Sequence, residues 1–160
     1  MDAADLEEID FFRAIERSGA RALLIGRRAM VAYGLPVSTA DYDLRVHFDD
    51  IEALNAAMHA LDHFPTRSPE EARKTGRYVL ENGEHIDVMV ARAGALAEGP
   101  LTFDEVWSRC ERLPLYDGVH VAVPSIPDLI RTKQWAMRAK DIADIQLLET
   151  LMKSRTPRRE

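Results

Sequence analysis

Apolar residues recur at helical spacing in the opening stretch "DLEEIDFFRAIERSG". Leu6, Ile9, Phe12 and Ile15 fall on one face, acids fill the first turn, and Gly19 ends the run; this predicts an amphipathic helix. "RALLI" is a short apolar run that Gly26 closes, a predicted strand. Ala29, Met30 and Tyr33 then predict a short helix stopping at Gly34-Leu35-Pro36. In "DYDLRVHF" the period changes to two: Tyr42, Leu44 and Val46 face one way, Asp41, Asp43 and Arg45 the other, the pattern of a half-buried strand. "DDIEALNAAMHALDHF" returns to helical spacing, with Asp49 or Asp50 placed to cap it.

The polar stretch "PTRSPEEARKTG" predicts irregular chain. "RYVLENGEHIDVMVAR" predicts a hairpin, because Asn82-Gly83 suits a two-residue turn between apolar strands. Its second strand sets Ile86, Val88 and Val90 on one face and Asp87 on the other. "TFDEVWSRC" predicts a short helix, and "RLPLYDGVHVAV" a further hairpin around Asp117-Gly118. The remainder, "SIPDLIRTKQWAMRAKDIADIQLLETLMK", predicts helix with a bend near Arg138 to Lys140, opened by a Ser125/Asp128 capping box. The expected fold is α/β (α+β): one domain over residues 1–160, a mixed β-sheet flanked by helices and a helical C-terminus. Residues 153–160 are expected to form a flexible basic tail.

Composition narrows the function. The chain has 160 residues, 46% apolar and 30% charged, which suits a globular domain and argues against disorder. No apolar run approaches the roughly 18 residues of a membrane span, and the acidic start "MDAADLEEID" is neither a secretory nor a transit signal. A single cysteine, Cys110, excludes an intrachain disulfide framework and suits a cytoplasmic setting; a structural zinc site is not expected. The net charge of −6 disfavours a general nucleic-acid binder. Arg21, Arg27, Arg28 and Arg45 nevertheless form a local basic rim, compatible with a small polyphosphate.

The acids carry the candidate chemistry. Along a strand, Asp41 and Asp43 would lie about 7 Å apart on one face. Asp87 would join them if its strand is a neighbour. Oxygen-only donors suit hard cations such as Mg²⁺ or Mn²⁺, which also hold phosphates, and two such ions can serve both the attacking and the leaving oxygen. The competing reading is that these are solvated acids on a wet strand face. Upstream, "LLIG" leads into a helix whose free N–H groups could receive phosphate, although a plain strand-to-helix turn would look the same. The conjunction of turn, short helix, Gly-x-Pro connection, threonine and acidic pair favours the first reading.

Gly26, Ala29, Gly34, Pro36, Thr39, Asp41 and Asp43 together resemble the signature of the nucleotidyltransferase superfamily, the polymerase-beta-like fold. "EHIDVMV" supplies the later third acid, and "VPSIPDLIRTKQWAMRAKDIADIQLLE" is similar to the C-terminal helices of the bacterial abortive-infection toxin and minimal nucleotidyltransferase branch. The resemblance spans residues 20 to 149. It implies metal-dependent transfer of a nucleoside monophosphate from an NTP to an acceptor hydroxyl on a small molecule, tRNA or protein. Asp41, Asp43 and Asp87 would be catalytic and hold Mg²⁺ or Mn²⁺; Gly26, Arg27, Arg28, Thr39 and Lys133 would bind the nucleotide. It also implies that the partner could be an antitoxin-like protein or a second copy of the chain, with no membrane involved. Two positions depart from the pattern: Arg27 stands where the family has a small residue, and Val37 where an arginine is common. The alternative is therefore a catalytically inactive nucleotide- or partner-binding module with the same fold.

The other chemistry-bearing residues remain divided. Lys133 and Lys140 are either triphosphate contacts or exposed helix lysines. Arg45 either orients a carboxylate or forms a surface pair, and His85 is expected to be an exposed strand histidine. Asp141 and Asp144, one turn apart, are expected to be capping and helix-surface acids. Trp107 and Trp135 are expected to cover the core or a hairpin, and Cys110 is assigned no chemistry.

Overall fold

The computed structural model describes residues 3–91, 101–116, 118–136 and 138–155. Helix α1, Ala3–Ser18, buries Ile9, Phe11, Phe12 and Ile15 as its spacing requires. Strand β1, Ala22–Ile25, runs into α2, Gly26–Ala32, and strand β2, Tyr42–Val46, follows. Helix α3, Ile51–His59, turns its buried face (Ile51, Leu54, Met58) to the core. Asp50 stands at its N-cap but makes no side-chain cap bond. Its carboxylate accepts instead from Arg21, at 2.8 Å from the backbone N–H, 2.8 Å from Nε and 3.1 Å from Nη2. A bidentate arginine outcompetes one backbone amide.

The stretch expected to be irregular is ordered. It forms β3, Phe64–Pro65, and α4, Pro69–Thr75, the latter capped by the Ser68 hydroxyl, which accepts from Glu71 N–H, and closed by Gly76 at φ +81°. A proline in the first turn and a left-handed glycine stop are standard helix punctuation that overall polarity conceals.

Strands β4, Arg77–Asn82, and β5, Glu84–Val90, form the expected hairpin with a different turn. Leu80 faces Ile86, Glu81 faces His85 and Asn82 faces Glu84, so the turn pivots on Gly83, at φ +69°. The reason lies in the core. Directly opposed residues share a face, and this register puts Tyr78 with Val88 and Leu80 with Ile86 on the buried side. A two-residue turn would set Tyr78 opposite Asp87 and split the apolar set.

The sheet order is β1-β2-β5-β4-β3, antiparallel except for the parallel β2–β5 pair. One face packs on α1 and α3 in the main core; Leu23 and Ala91 on the other meet α5, Phe103–Arg109, through Phe103 and Val106. A second, two-stranded sheet pairs β6, Glu111–Tyr116, with β7, Val119–Val123. That is the expected second hairpin; Asp117 at its turn lies outside the described residues.

Helices α6, Ile126–Ala136, and α7, Ala139–Arg155, close the chain and separate close to the expected bend. The Ser125 hydroxyl accepts from Asp128 N–H at 3.3 Å, but the reciprocal half of the capping box is missing because the Asp128 carboxylate accepts from Arg109 at 2.9 and 3.1 Å. Of the basic stretch 153–160, residues 153–155 belong to α7, and Arg155 pairs with Glu111 at 2.7 Å; residues 156–160 lie outside the described residues. Among the described residues no helix is long and apolar enough to cross a membrane.

Candidate active site

The parallel pairing of β2 with β5 sets Asp43 directly beside Asp87. Adjacent strands lie about 4.8 Å apart, and both residues are on the face opposite Leu44 and Val88, which are buried. Asp41 precedes β2 and is exposed. Its backbone N–H donates to the Thr39 hydroxyl at 3.2 Å, and the Arg28 guanidinium donates to the carbonyls of Asp41 and Thr39 at 3.3 and 3.1 Å while lying over the Tyr42 ring. Thr39 and Arg28 therefore shape the entry to β2.

Gly26 closes the site from the other side. Its φ is +68°, and a methyl group on its Cα would meet Asp43 Oδ2 at 2.8 Å. Only glycine permits both the left-handed backbone and this approach. The Asp43 carboxyl is held above the usual carboxylate range, first by burial and then by the charges of Asp87 and Asp41; Lys140 and Arg138 act in the opposite direction. Electrostatically, the three acids thus form a group around Asp43. Asp87 also pairs with Arg77 at 3.5 Å, a contact that sequence reasoning missed because Arg77 sits on a different strand.

The cations are arranged differently from expectation. Lys133 is not an exposed lysine: it is 7% exposed, and its Nζ lies 3.0 Å from Asp144 and 3.8 Å from Asp141. Arg27 reaches the same Asp144 carboxylate, through Nη2 at 3.1 Å and Nε at 3.3 Å. Asp141 accepts from Arg138 N–H and Nε, each at 3.0 Å.

Asp141 and Asp144, expected to be capping and helix-surface acids, are 0% and 1% exposed; Asp141 does cap the start of α7, through the Arg138 N–H. Burial alone would push both carboxyls up. Hydrogen bonds from Arg138 to Asp141, and from Arg27 and Lys133 to Asp144, outweigh burial and hold both below the usual range. A signal existed: positions 141, 144 and 148 share one helical face, and Leu148 is buried on it.

His85 is exposed and pairs with Glu81 at 3.4 Å, as expected. Arg45 lies over the Phe103 ring, and Trp107 stacks on Phe103, covering the smaller core cluster. Trp135 is 67% exposed and so is no part of the core, because the inward positions of α6 are taken by Ile126, Leu129, Ile130 and Lys133. Burial pushes the Cys110 thiol up, which disfavours its thiolate. A groove of about 540 Å³ lined by Phe11, Arg28, Tyr42, His63 and Ile86 lies across the sheet from Asp43.

Among the described residues no group of three His, Cys, Asp or Glu side chains is close enough to enclose a metal ion. The donors available are all carboxylate oxygens, two of them adjacent. Mg²⁺ is usually held by one or two carboxylates, with water and substrate phosphate completing its shell, so the set fits such an ion.

No family model and no curated protein matches the chain. Solved structures do. The solution structure of the antibiotic-resistance factor ANT(2″)-Ia is 16% identical, with a TM-score of 0.62 over 96% of this chain and 92% of that one. The crystal structure of ANT(2″)-Ia in complex with adenylyl-2″-tobramycin gives the same identity and TM-score over 96% and 97%. A Thermotoga maritima protein assigned as a nucleotidyltransferase is 13% identical, with a TM-score of 0.57 over 96% and 94%. At these identities the likeness is one of fold: the chain has the nucleotidyltransferase fold.

Proposed function

We propose that this chain is a metal-dependent nucleotidyltransferase that moves a nucleoside monophosphate from an NTP to an acceptor hydroxyl. The observation that carries the reading is the side-by-side placement of Asp43 and Asp87 under a glycine that touches Asp43. Bound Mg²⁺ or Mn²⁺ would neutralise charge on the phosphates and on the attacking oxygen.

Asp43 and Asp87 would hold the cation, with Asp41 at the exposed rim, positioned by Thr39 and Arg28 through its backbone. Asp87, about two-fifths exposed, would also accept the proton of the acceptor hydroxyl. The acceptor oxygen bonds to the α-phosphorus, the bond to the bridging α–β oxygen breaks, and pyrophosphate leaves with that electron pair. Gly26 lets the chain approach without a side chain in the way. Lys140 and Arg138, whose charges reach Asp43, would offset charge on the departing pyrophosphate. Arg27 and Lys133 face Asp144 and would act through that contact.

The neighbour solved with adenylyl-2″-tobramycin supports a small-molecule acceptor ahead of tRNA or protein. Within this reading, the acceptor would be a cellular molecule if the chain serves as the toxin of a toxin–antitoxin pair.

The test is incubation with each NTP, Mg²⁺ and panels of hydroxyl acceptors, with pyrophosphate as readout. Metal-dependent release that Asp43→Asn abolishes supports the reading; release unchanged by that substitution sinks it. A second reading, an inactive nucleotide-binding module, is favoured by one observation: Arg77 already pairs with Asp87. Calorimetry separates them, since the inactive module would bind NTP equally well with and without Mg²⁺.

A further inference from the structure

We infer that Asp144 is a positioning residue that keeps the Arg27 guanidinium away from the acidic pair, leaving Asp43 open to a divalent cation; the inference rests on the metal-binding reading above. Arg27 directly follows Gly26, whose Cα packs against the Asp43 carboxylate. Neighbouring Cα atoms are about 3.8 Å apart, and an arginine side chain is long enough to turn back from there. Its charge is permanent, and Asp43 lies against Gly26 with Asp87 its register partner on the next strand. Left alone, Arg27 would make an ion pair with them and occupy the place of a metal.

The structure directs it elsewhere. Arg27 Nε and Nη2 lie 3.3 and 3.1 Å from Asp144 on α7. Asp144 is 1% exposed, and its second partner, Lys133, is 7% exposed. A buried carboxylate and ammonium are poor glue, because apolar residues of similar volume often join helices as well or better. What apolar residues could not do is hold an arginine. Asp141 repeats the device one turn earlier on α7, holding Arg138, an arginine whose charge reaches Asp43. Arg27 and Arg138 are thus each restrained by a buried aspartate, whereas Arg77 lies against Asp87 itself.

Mn²⁺ titration of the full chain without nucleotide, followed by water-proton relaxation, tests this. Asp144→Asn is expected to weaken Mn²⁺ binding about tenfold or more, and adding Arg27→Gln to restore it to within about twofold of wild type. Asp144→Asn also strands the Lys133 ammonium, so the same comparison is made in a Lys133→Met/Asp144→Asn background, with and without Arg27→Gln. Unchanged affinity on loss of Asp144, or a loss that Arg27→Gln does not restore, overturns the inference and leaves the metal reading standing. A wild-type chain that binds no Mn²⁺ overturns the metal reading and the inference with it.

Discussion

Gly26 and Asp43 are in contact: the space a β-carbon would occupy on the glycine is taken by the aspartate's Oδ2, 2.8 Å away. The turn and the acid are therefore one unit. Gly26→Ala is expected to cost about 1–2 kcal/mol from the left-handed backbone alone, and to push the Asp43 carboxylate out of place. Urea unfolding and pyrophosphate release measure the two effects. A variant as stable and as active as wild type would show that the contact is dispensable.

Asp43→Asn should separate function from stability. Loss of the carboxylate is expected to lower nucleotidyl transfer about a hundredfold or more. The same change should raise the melting temperature of the metal-free chain, because burial and the neighbouring Asp87 and Asp41 disfavour the Asp43 charge in the fold. Stability surrendered at a reactive site is a common trade. A lower melting temperature would contradict the electrostatics described here.

Acid should destabilise the chain through α7. The Asp141 and Asp144 carboxyls sit below the usual range in the fold, whereas in the unfolded chain they return to about 3.9. Between those values the unfolded state binds more protons. Their contribution is therefore complete above the unfolded value and is lost as pH falls through the folded one. Urea midpoints measured from pH 7 to pH 3 should fall most steeply below about pH 4, and less steeply in a Lys133→Met/Asp144→Asn variant.

Asp50→Ala removes the partner of both the Arg21 backbone N–H and its guanidinium. A cost of about 1–3 kcal/mol is expected, with no change in the midpoint's dependence on metal. A loss under half a kilocalorie would show the Arg21 contact to be no more than an ordinary surface ion pair.

Much of the fold was legible from periodicity. The alternation in "DYDLRVHF" gave the correct faces of β2, and the capped α5 was visible as "TFDEVWSRC", where Thr102 and Glu105 exchange cap bonds. The short helix α4 was hidden by its polarity, which reads as loop unless Ser68, Pro69 and Gly76 are recognised as its limits. The turn at Gly83 was misplaced by half a step, because turn preference is local and weak whereas burial of Tyr78 is not.

The site divides in the same way. Residue order and spacing were enough to set Asp43 within a strand, to turn Asp87 away from the core, and to put a glycine ahead of them; Asp41, expected on the same strand, lies just before it. These are properties of a few consecutive residues, whose side-chain directions follow from backbone geometry. That β2 and β5 run parallel, so that residues 43 and 87 stand side by side, depends on how the intervening elements cross over. That Asp144, at a separation of 117 residues, reaches Arg27 depends on the docking of α7. Such contacts arise from summed burial over the whole chain, where no single spacing records which charge will meet which.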